Sequence, residues 1–289
     1  MLALLLKSMR PKQWTKNAFV WAALIFDQKL FQRGYFLSTL AAFAIFCLIS
    51  SAVYLINDLV DIENDKMHPV KRNRPLASGR LPKSVAIVAA VLVIAACIPA
   101  SLALNKTFAA ITLGYLVMMI AYSFVLKHLV IIDVMTIAAG FVLRVAAGVA
   151  VVNVERFSPW LYVCMTLLAL FLGFSKRRHE LALLAENANN HRAILDQYSL
   201  HLLDEMINMV AASALISYSL YTFFAPNVPQ NHTMMLTIPF VLYGIFRYFY
   251  LIHVKKEGGS PEELLLKDRP FLLNLALFGV TVVIIMYFL

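Results

Sequence analysis

Long apolar stretches cover most of this chain, and short polar segments separate them. The hydrocarbon core of a bilayer is about 30 Å thick, and a helix of about 20 apolar residues crosses it. The pattern therefore predicts nine membrane-spanning helices. Their approximate bounds are 17–33, 36–57, 84–104, 107–126, 130–152, 158–176, 206–225, 234–253 and 270–288. The first is the least apolar at its end, where Asp27 and Lys29 lie.

The composition agrees with this interpretation. Of the 289 residues, 61% are hydrophobic and only 14% are charged, and the mean hydropathy is +0.76. Ordinary soluble domains contain far more charge than this. We therefore expect an all-α, polytopic membrane protein that forms a single domain over residues 1–289 and lies in the lipid bilayer.

Lysine and arginine are distributed unevenly between alternate loops. If the N-terminus is cytoplasmic, nineteen of them fall on the cytoplasmic side and four on the other. Cytoplasmic loops of membrane proteins carry such an excess. We therefore expect a multi-pass protein of the cell (inner) membrane, with Leu289 on the side opposite to the N-terminus. The long charged loops 58–83, 177–205 and 254–269 would then face the cytoplasm and form the active site.

The net charge of +9 follows mainly from this orientation, with attraction to anionic lipid or phosphate as a second effect. It does not indicate a nucleic acid partner. Cys47, Cys97 and Cys164 lie inside predicted spans without the close spacing of metal or redox sites, so we expect packing thiols. The sequence has no Walker loop, dinucleotide fingerprint or Gly-x-Ser-x-Gly element. A homo-oligomer is compatible with the sequence.

The stretch from Asn57 to Gly79 concentrates charge at the end of a predicted span. Asp58, Asp61 and Asp65 are three and four residues apart, so on a helix they project from one face. Like charges on one face repel, and a hard divalent cation such as Mg²⁺, which prefers oxygen ligands, would relieve the repulsion. The alternative is a solvated charged loop between two spans.

Cations follow these carboxylates. Lys71, Arg72 and Arg74 come directly after them, and such groups suit phosphate oxygens. Lys127, which follows Tyr122 at the end of the fourth predicted span, is expected close to the carboxylates at the inner membrane surface. For Lys127 the alternative is a lysine at a helix end that extends to water.

Arg144 lies inside a predicted span, where an ionisable group is costly and normally faces a cavity or a partner. Asp133 precedes it by about three helical turns and falls on the same face. Two interpretations stand side by side: Asp133 and Arg144 line one cavity, or Arg144 pairs with a carboxylate on another helix.

Two further basic segments are expected to face the cytoplasm. Lys12, Lys16 and Asn17 belong to an N-terminal segment that either lies along the interface and covers the site or anchors the chain to the membrane. Lys176 and Arg177 begin a later loop, where a role in topology or in lipid headgroup binding is as well supported as catalysis.

Asn57, Asp58, Asp61 and Asp65 follow the pattern Asn-Asp-x-x-Asp-x-x-x-Asp. In this motif the chain resembles the UbiA-type intramembrane prenyltransferases. The resemblance implies nine transmembrane helices around a central cavity, with Mg²⁺ bridging the aspartates to a diphosphate. It makes Asp58, Asp61 and Asp65 the expected metal ligands, and Asp58, Asp61 and Lys127 the expected catalytic residues.

Most members of that family carry a second aspartate-rich motif where this chain has Tyr122-Ser-x-x-Leu-Lys127. That segment, together with 10–17, 68–75 and 175–180, resembles the branch containing decaprenyl-phosphate phosphoribosyltransferase. The resemblance implies Mg²⁺-dependent transfer of 5-phosphoribosyl from phosphoribosyl diphosphate to a polyprenyl phosphate, releasing diphosphate. The implied substrate-binding residues are Lys12, Lys16, Asn17, Asn57, Lys71, Arg72, Arg74, Tyr122, Asp133, Arg144, Lys176 and Arg177.

Two other functions remain open at this point. One is transfer from a polyprenyl diphosphate donor to an aromatic acceptor, which the first motif favours and the missing second motif disfavours. The other is a transporter or lipid-binding protein, in which Asp133 and Arg144 would line a pathway. The sequence shows no convincing internal repeat of the kind that many transporters contain.

Overall fold

The computed structural model describes residues 1–68, 70–154, 158–186, 197–255, 264 and 267–289. These residues form eleven α-helices and several short 3₁₀ segments, and no β-strand occurs among them. The all-α prediction is therefore confirmed.

The helices follow one another along the chain with short connections. They are α1 (Leu2–Ser8), α2 (Ala22–Phe26), α3 (Arg33–Val60), α4 (Ile62–Met67), α5 (Lys83–Leu104), α6 (Lys106–Phe124), α7 (Ile132–Val152), α8 (Pro159–Glu186), α9 (Leu200–Phe224), α10 (Ile238–His253) and α11 (Arg269–Phe288). The 3₁₀ segments are Pro11–Trp21, Lys71–Asn73, Leu126–His128 and Thr233–Thr237.

Eight helical stretches of the described chain are long and apolar enough to cross a membrane. They are α3, α5, α6, α7, α8 as far as Ala182, α9, α10 with the 3₁₀ segment before it, and α11. The chain is therefore a multi-pass membrane protein. The first predicted span, 17–33, is not one of them, because the 3₁₀ helix Pro11–Trp21 and the five-residue α2 occupy most of that region. The count of nine crossings stays a prediction.

The predicted cytoplasmic loops are partly helical. The loop 58–83 contains α4 and a 3₁₀ turn. The loop 177–205 is shortened from both sides, because α8 continues to Glu186 and α9 begins at Leu200. Residues 187–196, and most of the loop 254–269, lie outside the described residues.

Contacts divide the chain into two compact units, the first of which comprises Met1–Leu24, Gln32–Thr136 and Leu143–Asn153. Its centre is α3, which packs against α5, α6 and the N-terminal 3₁₀ helix. Small residues such as Ala42 and Ser50 are buried along α3. Small side chains allow neighbouring helix backbones to approach closely in a membrane, so α3 can be covered on several sides.

The second unit comprises Ile25–Phe31, Ile137–Val142 and Val154–Leu289. Within it α8 packs along α9, and α10 packs along α11. Aromatic contacts join α8 to α10, where the rings of Phe171 and Tyr248 lie with their centroids 5.1 Å apart. The prediction of a single domain over the whole chain stays a prediction.

Candidate active site

Helix α3 and the short helix α4 bring the predicted carboxylates together. The break between them is confined to Asp61, because the Asp61 amide donates to the Asn57 carbonyl at 3.0 Å and the Asp65 amide donates to the Asp61 carbonyl at 2.8 Å. Helical spacing is thus kept across the junction. Asp58 and Asp65 are almost completely buried, at 2% and 4% exposure.

Two arginines bind Asp58 and Asp65. Arg74 Nη1 donates to Asp58 Oδ1 at 3.1 Å and to Asp65 Oδ2 at 2.6 Å, so one nitrogen joins both carboxylates. Arg10 Nη2 also donates to Asp58 Oδ1, and the Arg10 guanidinium lies over the Tyr54 ring, 4.9 Å from its centroid. Burial of a carboxylate is costly unless it is paired, and these contacts supply the pairing.

The loop after α4 is ordered by its own contacts and thereby places Arg74. Leu76 and Leu81 are buried in an apolar cluster with residues of α3 and α5. The Ser78 hydroxyl donates to the Arg74 carbonyl at 2.8 Å. Gly79 adopts a φ of 71°, in the left-handed region that glycine enters without steric cost. The loop is therefore a folded element and not a solvated connection.

Lys127 joins the carboxylates from the end of α6, as the sequence predicts. Its Nζ lies 2.5 Å from Asp61 Oδ1, and Asn57 Nδ2 donates to Asp61 Oδ2 at 3.2 Å. Lys127 is only 3% exposed, whereas a lysine extended to water would expose its ammonium group. The structure therefore brings Asn57, Asp61 and Lys127 together with the arginine-bound pair of aspartates.

The N-terminal cation at this cluster is Arg10, which the set of expected site residues omits. Lys12 is exposed and Lys16 is half-buried. Arg10 precedes the 3₁₀ helix with a φ of 54°, an uncommon value for a residue with a side chain. The signal for Arg10 was its place in the same basic segment, but spacing alone did not single it out.

Asn17 and Arg144 meet in the interior of the first unit. Arg144 Nε donates to Asn17 Oδ1 at 2.7 Å, and Arg144 Nη2 donates to the Tyr115 hydroxyl at 2.9 Å. Arg144 also lies over the Tyr115 ring, 4.8 Å from its centroid. Asp133 is completely buried in the first turn of α7. The sequence predicted Asn17 and Arg144 individually but gave no sign of Tyr115 or of their mutual contact.

The remaining predicted residues have varied surroundings. Arg72 is exposed, and Lys71 and Tyr122 are half-buried. Lys176 and Arg177 belong to the second unit, where Lys176 is half-buried and the buried Arg177 donates to Glu180 at 2.5 Å. The next residue, Arg178, is bound by both carboxylate oxygens of Asp204 on α9.

The chemistry of the carboxylate cluster fits a hard divalent cation. Asp58 and Asp65 already share one positive partner, Arg74 Nη1. Mg²⁺ binds oxygen at about 2.0–2.1 Å, so withdrawal of Arg74 and a small side-chain shift would suit it. No ready-made group of three or more His, Cys, Asp or Glu ligands occurs in the part of the chain that the structure describes.

Comparison with known proteins decides the family. Residues 18–258 match the UbiA prenyltransferase family. The chain belongs to this family. Membership makes the protein a transferase and confirms the resemblance seen in the aspartate motif.

Two curated relatives of this UbiA protein carry the same name. The chain is 33% identical over 275 residues to decaprenyl-phosphate phosphoribosyltransferase from Corynebacterium glutamicum, covering 92% of this chain and 81% of the relative. It is 32% identical over 281 residues to the enzyme of that name from Mycolicibacterium smegmatis, covering 92% and 86%.

Solved structures of UbiA homologues share the fold. The homologue from Archaeoglobus fulgidus bound to GPP and Mg²⁺ matches with a TM-score of 0.72 and 18% identity, covering 98% of this chain and 99% of that one. The homologue from Aeropyrum pernix K1 matches with a TM-score of 0.66 and 14% identity, covering 94% and 96%. The UbiA-like fold prediction is therefore confirmed.

Proposed function

We propose that this UbiA family member transfers 5-phosphoribosyl from phosphoribosyl diphosphate to a polyprenyl phosphate and releases diphosphate. The contact between Lys127 and Asp61 carries the proposal, because it adds a third cation to the cluster that Arg10 and Arg74 already join. A donor with a diphosphate and a separate 5-phosphate presents more anionic oxygens than a prenyl diphosphate. A site with three cations is suited to it. The names of the curated relatives support the same choice.

The bond changes in this reaction are few. The bond between ribose C1 and the diphosphate oxygen breaks, the electron pair leaves with the diphosphate, and a phosphate oxygen of the lipid forms the new bond to C1. Positive charge develops at C1 as the diphosphate departs. The acceptor phosphate is already anionic at neutral pH, so the reaction needs no general base.

In this proposal Asp58, Asp61 and Asp65 hold Mg²⁺, which would neutralise charge on the departing diphosphate as a Lewis acid. Metal use is supported by the homologue that was solved with GPP and Mg²⁺. The carboxylates hold cationic side chains in the structure, so binding of a metal requires those side chains to move to new anionic partners.

Arg10, Arg74 and Lys127 have such partners in the donor. Each is within hydrogen-bonding distance of a carboxylate, and each can bind a phosphate oxygen instead. Lys71 and Arg72 lie on the same loop as Arg74, and we propose them for the 5-phosphate. The roles of Lys12, Lys16, Tyr122, Asp133, Lys176 and Arg177 stay predictions.

A transfer assay tests the function. Purified protein with Mg²⁺, labelled phosphoribosyl diphosphate and polyprenyl phosphate should form a lipid-soluble labelled product, and chelation of Mg²⁺ should prevent it. Asp58→Asn should reduce the rate at least about a hundredfold, since a metal ligand matters more than the outer-shell groups whose loss costs 10–100-fold. Glu63→Gln is the matched control, because Glu63 is an exposed carboxylate on the neighbouring helix α4.

The outcome separates this function from the alternative. Absence of transfer to polyprenyl phosphates of every chain length would contradict the proposal. Consumption of a prenyl diphosphate with an aromatic acceptor, with phosphoribosyl diphosphate left unused, would establish the prenyl transfer that the GPP-bound homologue brings to mind.

A further inference from the structure

The N-terminal segment Met9–Val20 is fastened along helix α3 by polar contacts at successive turns. Ser51 Oγ donates to the Met9 carbonyl at 3.0 Å, and Trp14 Nε1 donates to the same hydroxyl at 3.0 Å. Asn17 Nδ2 lies 3.2 Å from Ser50 Oγ and 3.3 Å from the sulfur of Cys47. The segment therefore has a defined register on α3.

Helix α7 fixes the same segment through Arg144. The Asn17 amide uses its nitrogen for α3 and its oxygen for Arg144 Nε. Asn17 is 0%, Tyr115 2% and Arg144 5% exposed, so these three residues form a buried group. A buried arginine in a span is costly, and here it binds the side chain that holds the segment in place.

Gly148 provides a second point of contact, one turn after Arg144 on α7. A Cβ added at Gly148 would lie 3.0 Å from the Val20 carbonyl carbon and closer still to its oxygen. Both are backbone atoms, which cannot rotate away as a flexible side chain can. Any residue larger than glycine at 148 must push the segment off α7. Helix α7 thus contacts the segment at Asn17 and Val20, which are three residues apart.

The other end of the segment carries Arg10, whose guanidinium binds the buried Asp58. The left-handed backbone of Arg10 costs about 1–2 kcal/mol, so surrounding contacts must maintain it. The contacts of Met9 and Trp14 with Ser51 lie on either side of it and do so. Backbone strain of this kind, kept by neighbouring contacts, is characteristic of functional sites.

We infer that Asn17, Arg144 and Gly148 are positioning residues that hold Arg10 at the carboxylate cluster. They act through the N-terminal segment, because their own side chains are buried away from the cluster or, for glycine, absent. The inference deepens the proposed function and rests on it only in the role of Arg10 as a ligand of the donor phosphates.

The first arm of the test compares two glycines of the first unit. Gly148→Ala should lower kcat/KM about ten- to a hundredfold, since a shift of about 1 Å in a positioned group can cost a hundredfold. Gly114→Ala in α6 is the matched control, because nothing lies within 4 Å of its added Cβ. Asn17→Ala removes bulk instead of adding it and should lower kcat/KM in the same way. Equal activity of all three variants would overturn the inference.

The second arm asks whether the loss occurs through Arg10. In an Arg10→Gln protein the group to be positioned is already absent, so Gly148→Ala should cause less than about a twofold further loss. A merely structural defect would reduce activity by the same factor in both backgrounds. Full additivity would therefore contradict the inference.

The third arm needs no substrate. With Cys97→Ala and Cys164→Ala, Cys47 is the remaining thiol, and it is 3% exposed beneath Asn17. Labelling of Cys47 by N-ethylmaleimide should be about tenfold faster in the Gly148→Ala and Asn17→Ala proteins, as expected for local opening, and unchanged in Gly114→Ala. Equal rates in all would overturn the inference. A wild type without phosphoribosyl transfer would defeat the proposed function alone, and the labelling would still decide the positioning.

Discussion

Each buried carboxylate of the cluster has a cationic side chain at bonding distance, and this pairing explains how the acidic motif exists without a metal. Asp58 accepts from two guanidiniums, and Asp61 from an ammonium group. An unpaired buried carboxylate would be strongly destabilising. The same cations suit phosphate oxygens, so binding of a metal and a phosphorylated donor can exchange one set of partners for another without leaving a buried charge alone.

Arg74 competes with a divalent cation for Asp58 and Asp65 in this arrangement. We expect Arg74→Met to bind Mn²⁺ in the absence of substrate about tenfold more tightly, which corresponds to about 1.4 kcal/mol. Electron paramagnetic resonance of free Mn²⁺ measures the affinity. Arg80→Met is the control, since Arg80 lies on the same loop and donates to Ser78 and Asn73. Weaker Mn²⁺ binding in Arg74→Met would show that Arg74 supports the metal site.

Lys127 and Asp61 form a pair whose structural and chemical roles can be separated. Lys127→Met should destabilise the protein by about 1–3 kcal/mol, because Asp61 loses its charged partner in a largely buried place. Adding Asp61→Asn should restore much of the stability but none of the transfer activity. Thermal unfolding in detergent and the transfer assay report the two effects. Lys66→Met on the exposed surface of α4 should change neither, and recovery of activity in the double variant would exclude a chemical role.

The limits of the sequence are clear at the scale of these residues. The spacing of Asp58, Asp61 and Asp65 predicted their common face, because helical periodicity is a local property. The contacts of Arg10 with Asp58 and of Asn17 with Arg144 join residues 48 and 127 positions apart. No local pattern encodes such pairs. Arg10 also depends on an unusual backbone conformation that residue type does not reveal.

Helices α8 and α9 show a related limit at the scale of the element. Hydropathy ended the sixth span at 176, but α8 continues to Glu186 and α9 begins before 206. Hydropathy reports where the chain leaves the bilayer, whereas a helix ends where its backbone hydrogen bonds find other partners. The charged face of α8 beyond the predicted boundary is held by contacts such as that of Arg178 with Asp204. The existence of the helices was predictable, and their ends were not.

The pairing of α10 with α11 depends on a charged contact near the start of α11. The hydrogen bond from Arg247 lowers the pKa of Asp268 from its ordinary value, so the folded chain keeps this carboxylate ionised to a lower pH than the unfolded chain does. Its stabilisation is complete above the unfolded pKa of about 3.9 and is lost as the pH falls through the lower, folded value.

Asp268→Asn should therefore lower the unfolding temperature at pH 7, and the difference from wild type should shrink below about pH 4. Asparagine can still accept from the Phe271 amide as a helix cap, so the substitution isolates the charge. Glu63→Gln is the control, because a hydrogen bond from Lys66 also lowers the pKa of Glu63 but both groups are exposed. Surface pairs contribute little, and this variant should match wild type at both pH values. A pH-independent effect at 268 would assign it to packing.

The whole molecule has an odd or an even number of crossings according to what the N-terminal segment does. Eight stretches of the described chain are long apolar α-helices, and the ninth candidate is the 3₁₀ helix Pro11–Trp21 followed by α2. A 3₁₀ helix rises about 2.0 Å per residue, so its 11 residues extend about 22 Å. The five residues of α2 add about 7.5 Å. The sum is close to the hydrocarbon thickness of about 30 Å, so this segment is long enough to cross despite its few residues.

We therefore expect Leu289 and the N-terminus on opposite sides of the membrane. Single cysteines placed at Leu2 or Leu289, in a protein whose native cysteines are replaced, can be labelled in intact cells with an impermeant maleimide. Leu289→Cys should react and Leu2→Cys should react only after permeabilisation, because the excess of lysine and arginine keeps the N-terminal side cytoplasmic. Ser78→Cys on the exposed Arg74 loop is the internal control and should behave like Leu2→Cys. If both termini react from the same side, eight helices cross and the N-terminal segment folds back on the side from which it started. That result would leave its contacts with α3 intact but would remove the membrane as a reason for its length.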